Sequence, residues 1–171
     1  PPWSYRQHGT GPKSRGNAAQ HYHTMAVEDI CALPVRQLAG GGQGGALFMW
    51  ATFPTIPDAL QVMKAWGFTY KTAAFVWVKK YKSGGNFYGM GAYTRANAEV
   101  CLLGITPGFK AKELVKSHSV HQIIESPVQA HSVKPDEARR RIVELLGDIP
   151  RIELFARQRT PGWDAWGDEL E

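Results

Sequence analysis

The first residues of the chain, Pro1-Pro2-Trp3-Ser4-Tyr5, combine types that suit one task, the holding of a flat ring. Two adjacent prolines fix two φ angles and remove two backbone donors. Pro2 also biases Pro1 toward an extended conformation. The carbonyls of the pair are left as acceptors at the mouth of a rigid turn, and a bulky aromatic follows. Carbonyls can accept from an exocyclic amine while an indole stacks on the face of the ring. A proline-rich chain start is otherwise a structureless end, so the reading depends on what accompanies it.

Other residues with chemical potential are fewer. His21/His23 and His118/His121 have spacings that a metal could use, but no carboxylates or thiols converge with them in the sequence, and no metal is expected. Gly89-Met90-Gly91 lacks the third glycine and the following helix of a nucleotide fingerprint, and Gly40 to Gly45 lacks the Gly-Lys-Ser/Thr ending of a phosphate loop. Cys31 and Cys101 are far apart without CxxC spacing, the pattern of a reduced, cytoplasmic protein. Lys and Arg exceed Asp and Glu by 20 to 15, giving a net charge of +5 that favours a polyanionic partner. No apolar run approaches a membrane span, and no signal-peptide pattern is present.

The elements that must position these residues are legible from periodicity. With 171 residues, 43% hydrophobic and 20% charged, the composition is that of one globular domain with a core. Residues 4–20 read as a loop in which Arg6, Lys13 and Arg15 could meet phosphates. Thr24 is placed to cap a short helix that Pro34 stops. Residues 46–53 form an apolar run suited to a strand covered on both faces. Thr55 caps a helix burying Ala59, Val62, Met63 and Trp66, and Gly67 ends it. Further strands are expected over 72–79, 98–105, 121–125 and 151–156. The connection 80–96 is too long for an ordinary turn. Pro135 marks the N1 position of a helix whose apolar face holds Ala138, Ile142, Leu145 and Leu146. Arg139, Arg140 and Arg141 fan around it as a solvated face. Trp163 and Trp166 read as core. Alternation of strands and helices predicts an α/β fold with a mainly parallel sheet and helices on both faces. The loops after strand ends, at Pro1, Lys80, Thr106 and Arg157, are then expected on one edge.

These pieces stand in an order that resembles one family. Pro1-Pro2-Trp3 is similar to the end of the Asp-Pro-Pro-Trp motif of amino-methyltransferases. His21 to Met25, Gly45 to Trp50, Phe75 to Lys79, Ala98 to Gly104, Lys134 to Glu137, Arg151 to Arg157 and Trp163 to Glu169 follow in the order of the mRNA-adenosine-methyltransferase-like family, which has phage and bacterial members. The resemblance covers nearly the whole chain. It implies a Rossmann-like methyltransferase fold in permuted order, catalytic motif first and cofactor strand last, in one domain over residues 1–171. It implies S-adenosyl-L-methionine as cofactor and methyl transfer to the N6 amine of adenine, with DNA preferred over RNA. By motif, Pro1, Pro2 and Trp3 are assigned to catalysis and Lys134, Arg157, Asp168 and Glu169 to the cofactor. Tyr22, Glu99 and Asn97 are assigned to the substrate, with a salt bridge as the alternative role for Glu99. The motif's acid and the strand before it do not precede Pro1, so the expectation is a chain that starts within the fold and is poorly soluble or dimeric. The alternative reading is a catalytically inactive nucleic-acid-binding partner of the same fold.

Overall fold

The computed structural model describes residues 1–4, 23–39, 44–89, 91, 93–129 and 133–170. Tyr22, His21 and the basic residues Arg6, Lys13 and Arg15 lie outside the described residues.

The expected apolar runs become β1 (Ala46–Ala51), β2 (Thr69–Lys80) and β3 (Ala98–Ile105), and β4 (Ile123–Pro127) joins them in one sheet of order β1-β3-β2-β4. The α/β, Rossmann-like class holds, with strands of mixed polarity. β1 and β2 both run antiparallel to the central β3, whereas β2 and β4 are parallel. Two short strands, β5 (Ile152–Leu154) and β6 (Asp164–Trp166), form a separate parallel ribbon.

Helices cover both faces. On one face α1 (Val27–Ala32), α2 (Val35–Leu38) and α3 (Ile56–Ala65) pack Ile30, Val35, Ala59, Val62 and Met63 onto Met49 and Ala51 of β1 and Val100 and Leu102 of β3. On the other, α5 (Asp136–Leu146) lays Ala138 and Ile142 over Phe75, Trp77, Cys101 and Ile124, with Phe48 and Trp50 beside them. A short α4 (Ala111–Leu114) lies on the path from β3 to β4. The alternating strand positions thus bury both ways, as a continuous apolar run requires. Each large buried side chain contributes about 1.5–3 kcal/mol. No described helix is long and apolar enough to cross a membrane.

Local chemistry explains the boundaries. Gly67 takes φ +79° after α3, and the Phe68 amide reaches the Met63 carbonyl at 2.8 Å, which closes the helix end in a left-handed cap. Ahead of α3, Thr52 and Thr55 cap each other reciprocally around a 3-10 turn at Phe53–Thr55. Pro135 is the N-cap of α5, one position earlier than predicted.

Three further expectations need correction. Thr24 does not cap α1; the cap is Ala26, because the Met25 amide donates to the Pro2 carbonyl at 2.9 Å and holds that stretch extended beside Trp3. Thr106 is not on the edge shared by the ends of β1, β2 and β4. β3 is antiparallel, so its end returns to the start of β1, where the Thr106 hydroxyl accepts from the Gly45 amide at 2.8 Å. The arginine run is not one solvated face. Arg140 is exposed, but Arg139 forks onto Glu153 of β5, and Arg141 donates to the carbonyls of His121 and of Ile123 at the start of β4.

Candidate active site

The C-terminal ends of β1, β2 and β4 and the N-terminal end of β3 share one edge of the sheet. Beside it, between that edge and the β5–β6 ribbon, lies a cleft of about 380 Å³, within the size range of small-molecule sites. Pro1, Pro2, Trp3, Glu99, Lys134, Arg157, Asp168 and Glu169 all line it. Eight of the ten residues assigned from the sequence therefore converge, from both ends of the chain. Asn97 is not in the lining; its carbonyl accepts from the Lys79 amide at 2.8 Å.

The proline pair is more constrained than its sequence suggests. The Pro1 carbonyl accepts from the Trp3 amide at 3.0 Å, the i→i+2 pattern of a γ-turn centred on Pro2. The Pro2 carbonyl accepts from Met25. Neither carbonyl is left wholly free, contrary to expectation, although each keeps a second lone pair. Trp3 is buried, and its indole N–H donates to the Trp50 carbonyl at 3.2 Å. The tryptophan is thus a core residue that presents part of its surface to the cleft.

Glu99 is the second residue of β3 and the only buried carboxylate among the described residues, at 9% exposure. Lys79 Nζ lies 2.6 Å from Oε1 and Lys134 Nζ 3.1 Å from Oε2. Burial alone would push this carboxyl up, but Lys134 and Lys79 more than offset it and hold the group below the usual glutamate range. Lys79 also sits 5.1 Å above the Trp77 ring. Glu99 therefore makes the salt bridge, and it makes it at the wall of the cleft.

On the far wall, Phe155 follows β5 with φ 57°, a left-handed backbone on a bulky residue. Such an outlier costs about 1–3 kcal/mol and persists where its surroundings over-determine it. Its ring meets Trp166 edge-on at 5.4 Å. Trp166 is not in the core, because β6 belongs to a two-stranded ribbon separate from the main sheet. The residue is 48% exposed and lines the cleft. Trp163 is half-buried, with Arg151 5.5 Å over its ring. Beyond β6, a Cβ at Gly167 would lie 2.3 Å from the Ala156 carbonyl oxygen, so only glycine lets the two strand exits run side by side. That approach brings Arg157 Nε to 2.7 Å from Glu169.

Sequence reasoning missed Arg139 and Glu153. Arg139 donates through Nε and Nη2 to both Glu153 oxygens at 2.8 Å, and also reaches Asp136. Both residues line the cleft. Burial works against the Arg139 charge, but Glu153 and Asp136 raise its pKa further. The available signal was Glu153 itself, one acid inside the apolar run Ile152 to Phe155, which needs a cation when it folds inward.

A chain of this fold and this cleft belongs to a known group. The MT-A70 family profile matches residues 1–169, and the chain belongs to the MT-A70 family, as its motifs suggested. It is 31% identical over 157 residues to the type II methyltransferase M.MunI of Mycoplasma sp., covering 90% of this chain and 62% of that protein. It is 27% identical to the probable N(6)-adenosine-methyltransferase MT-A70-like protein of Oryza sativa subsp. japonica, over 87% of this chain and 20% of the rice protein. A similar match, 27% over 88% of this chain, reaches the N(6)-adenosine-methyltransferase MT-A70-like protein of Drosophila melanogaster. The chain spans about three fifths of the Mycoplasma protein and about a fifth to a quarter of the other two.

Proposed function

We propose that this chain is the catalytic domain of an S-adenosylmethionine-dependent methyltransferase acting on the N6 amine of adenine, with DNA as substrate. The observation that carries the reading is the convergence, in one cleft, of the Pro-Pro-Trp turn, Lys134, and the Arg157–Glu169 pair with Asp168 beside it. The donor set fits the cofactor. Lys134 offers an ammonium to a carboxylate, and Asp168 and Glu169 offer acceptors to a ribose diol. Phe155 and Trp166 offer apolar faces to a ring. Bound there, S-adenosylmethionine supplies an electrophilic methyl group.

The protein's own part is positioning. The γ-turn fixes the Pro1 carbonyl so that its remaining lone pair can accept one N–H of an adenine amine, which orients the nitrogen. Trp3, tied to Trp50, forms the adjoining wall and supports the base. Glu99 keeps Lys79 and Lys134 in place, so Lys134 meets an anion without searching rotamers. Such prearranged dipoles and charges act by orientation and by electrostatic preorganisation. DNA is preferred because identity to the type II methyltransferase, 31%, exceeds that to the N(6)-adenosine-methyltransferases named above, 27%. The net charge of +5 suits either nucleic acid.

The test is calorimetric titration with S-adenosylmethionine, followed by assay of methyl transfer to adenine-containing DNA and RNA. Binding that Lys134→Ala abolishes, with N6-methyladenine formed in DNA, is expected. Absence of cofactor binding by the parent chain would overturn the reading and leave the non-catalytic nucleic-acid-binding role.

A further inference from the structure

The connection between β2 and β3 is used by nothing described so far, and its chemistry is distinctive. Residues 81–97 contain Tyr81, Phe87, Tyr88 and Tyr93 with Lys82 and Arg95, and no Asp or Glu. Tyr88 is 55% exposed and Tyr93 fully so, five residues apart on this one segment.

The described residues of the segment are held by backbone hydrogen bonds. The Tyr81 amide donates to Gly85 at 3.1 Å and the Phe87 amide to Lys79 at 2.9 Å, so the chain folds back onto the end of β2. Tyr81 and Phe87 meet edge-on at 5.3 Å. The Gly89 amide then donates to the Ala96 carbonyl at 2.7 Å, which joins the two sides of an arm with Tyr93 near its tip. The arm springs from the cleft's rim, since Asn97 is followed by β3 and by Glu99 in the cleft wall. From Asn97 to Tyr93 the backbone spans at most about 14 Å, or about four base steps at 3.4 Å each.

We infer that this arm is a stacking platform for the nucleic-acid strand flanking the reacting base. Tyr88 and Tyr93 take neighbouring bases on their faces, while Lys82 and Arg95 meet phosphates, within about four nucleotides of the target. Exposed aromatics on a segment that carries Lys82 and Arg95 and no acid of its own match how single strands are held without reading sequence. The inference rests on the methyltransferase reading and adds where the substrate lies.

The experiment is fluorescence anisotropy of the full chain on single-stranded DNA, single-stranded RNA and duplex DNA of one sequence with one adenine, over a salt series. Tyr88→Ala/Tyr93→Ala is compared with Tyr88→Phe/Tyr93→Phe and with Lys82→Ala. A stacked base contributes about five- to 150-fold in affinity, so the alanine pair should bind single strands at least tenfold more weakly. The phenylalanine pair should bind as the parent does, and Lys82→Ala should lower the salt slope by about one. The DNA and RNA arms show which strand the platform prefers. Calorimetry with S-adenosylmethionine should be unchanged in the alanine pair, because neither tyrosine lines the cleft. If the parent methylates adenine and the alanine pair does so with the same KM and affinity, the platform is refuted and the enzyme stands. A changed oligomeric state with unchanged nucleic-acid binding would instead make the arm a protein interface and refute the proposal. If the parent binds neither cofactor nor nucleic acid, the enzyme reading falls and the platform with it.

Discussion

Replacing Glu99 with Gln keeps the shape of the side chain and removes one charge from between two ammonium groups. The carboxylate side chain is 12% exposed, and those of Lys79 and Lys134 are 21% and 24% exposed. Two charge-assisted hydrogen bonds of about 1.5–3 kcal/mol each are at stake, but both lysines keep enough contact with water to recover part of that. The expected loss is about 2–3 kcal/mol at neutral pH, well above the ~0–1 kcal/mol of an exposed pair. Glu125→Gln is the control, since Glu125 is 58% exposed where it meets Lys80 and should cost under about 1 kcal/mol. Urea unfolding followed by tryptophan fluorescence measures both. The pH dependence is a second check with a fixed sign. The folded Glu99 carboxyl titrates below its ordinary value of 4.5. The parent's advantage over Glu99→Gln is therefore complete above that value and is lost as pH falls through the lower, folded one. A Glu99→Gln variant within 0.5 kcal/mol of the parent at pH 7, a limit of about measurement size, would refute this account. So would a gap that stays constant on acidification.

Three further outcomes follow from the geometry. Arg139→Lys keeps the charge but not the planar fork onto Glu153; it should cost about 1–2 kcal/mol in denaturant unfolding and weaken cofactor binding, and Arg139→Lys behaving as the parent would deny the fork any role. Gly167→Ala places a Cβ 2.3 Å from the Ala156 carbonyl oxygen; about 1–3 kcal/mol of overpacking should appear with a raised S-adenosylmethionine Kd, and unchanged calorimetry would count against the close approach. Gly67→Ala forces a Cβ onto a backbone at φ +79° and toward Arg36; a loss of about 1–2 kcal/mol without change in KM is expected, and thermal melts superimposing on the parent's would contradict it.

Several parts of this structure could be read from the sequence, and the reasons are physical. The runs that became β1 and β3 are apolar at successive positions, and only a strand covered on both faces accommodates that. The face of α3 was given by Ala59, Val62, Met63 and Trp66, spaced at the helical period. Strand direction was not legible, because an apolar run looks the same in a parallel and an antiparallel sheet; Thr106 was misplaced for that reason alone. The burial of Arg139 escaped because its partner, Glu153, sits on another element, and a run of three arginines looks solvated when read locally. The exposure of Trp166 escaped because residue type does not disclose that its strand pairs in a two-stranded ribbon beside an open cleft. The cleft's residues were named through motif resemblance; composition and periodicity alone would not have joined Pro1 to Glu169.

Among the described residues, β5 and β6 pair only with each other, so no backbone ladder fastens their ribbon to the four-stranded sheet. A second cavity of about 910 Å³ runs between β1 and this ribbon over the Ala138–Ile142 face of α5. The ribbon is therefore held by side chains, chiefly the Arg139–Glu153 fork and the packing of Leu154 and Phe155. A ligand in the 380 Å³ cleft touches both bodies and acts as a strut between them. Its occupancy enters the local opening equilibrium directly, as a factor of 1 + [L]/Kd. Amide exchange at Ala156, whose N–H is bonded to the Trp166 carbonyl, should slow by that factor as ligand is added. Exchange in the central β3 should not follow it, so the seam between ribbon and sheet reports the filling of the cleft.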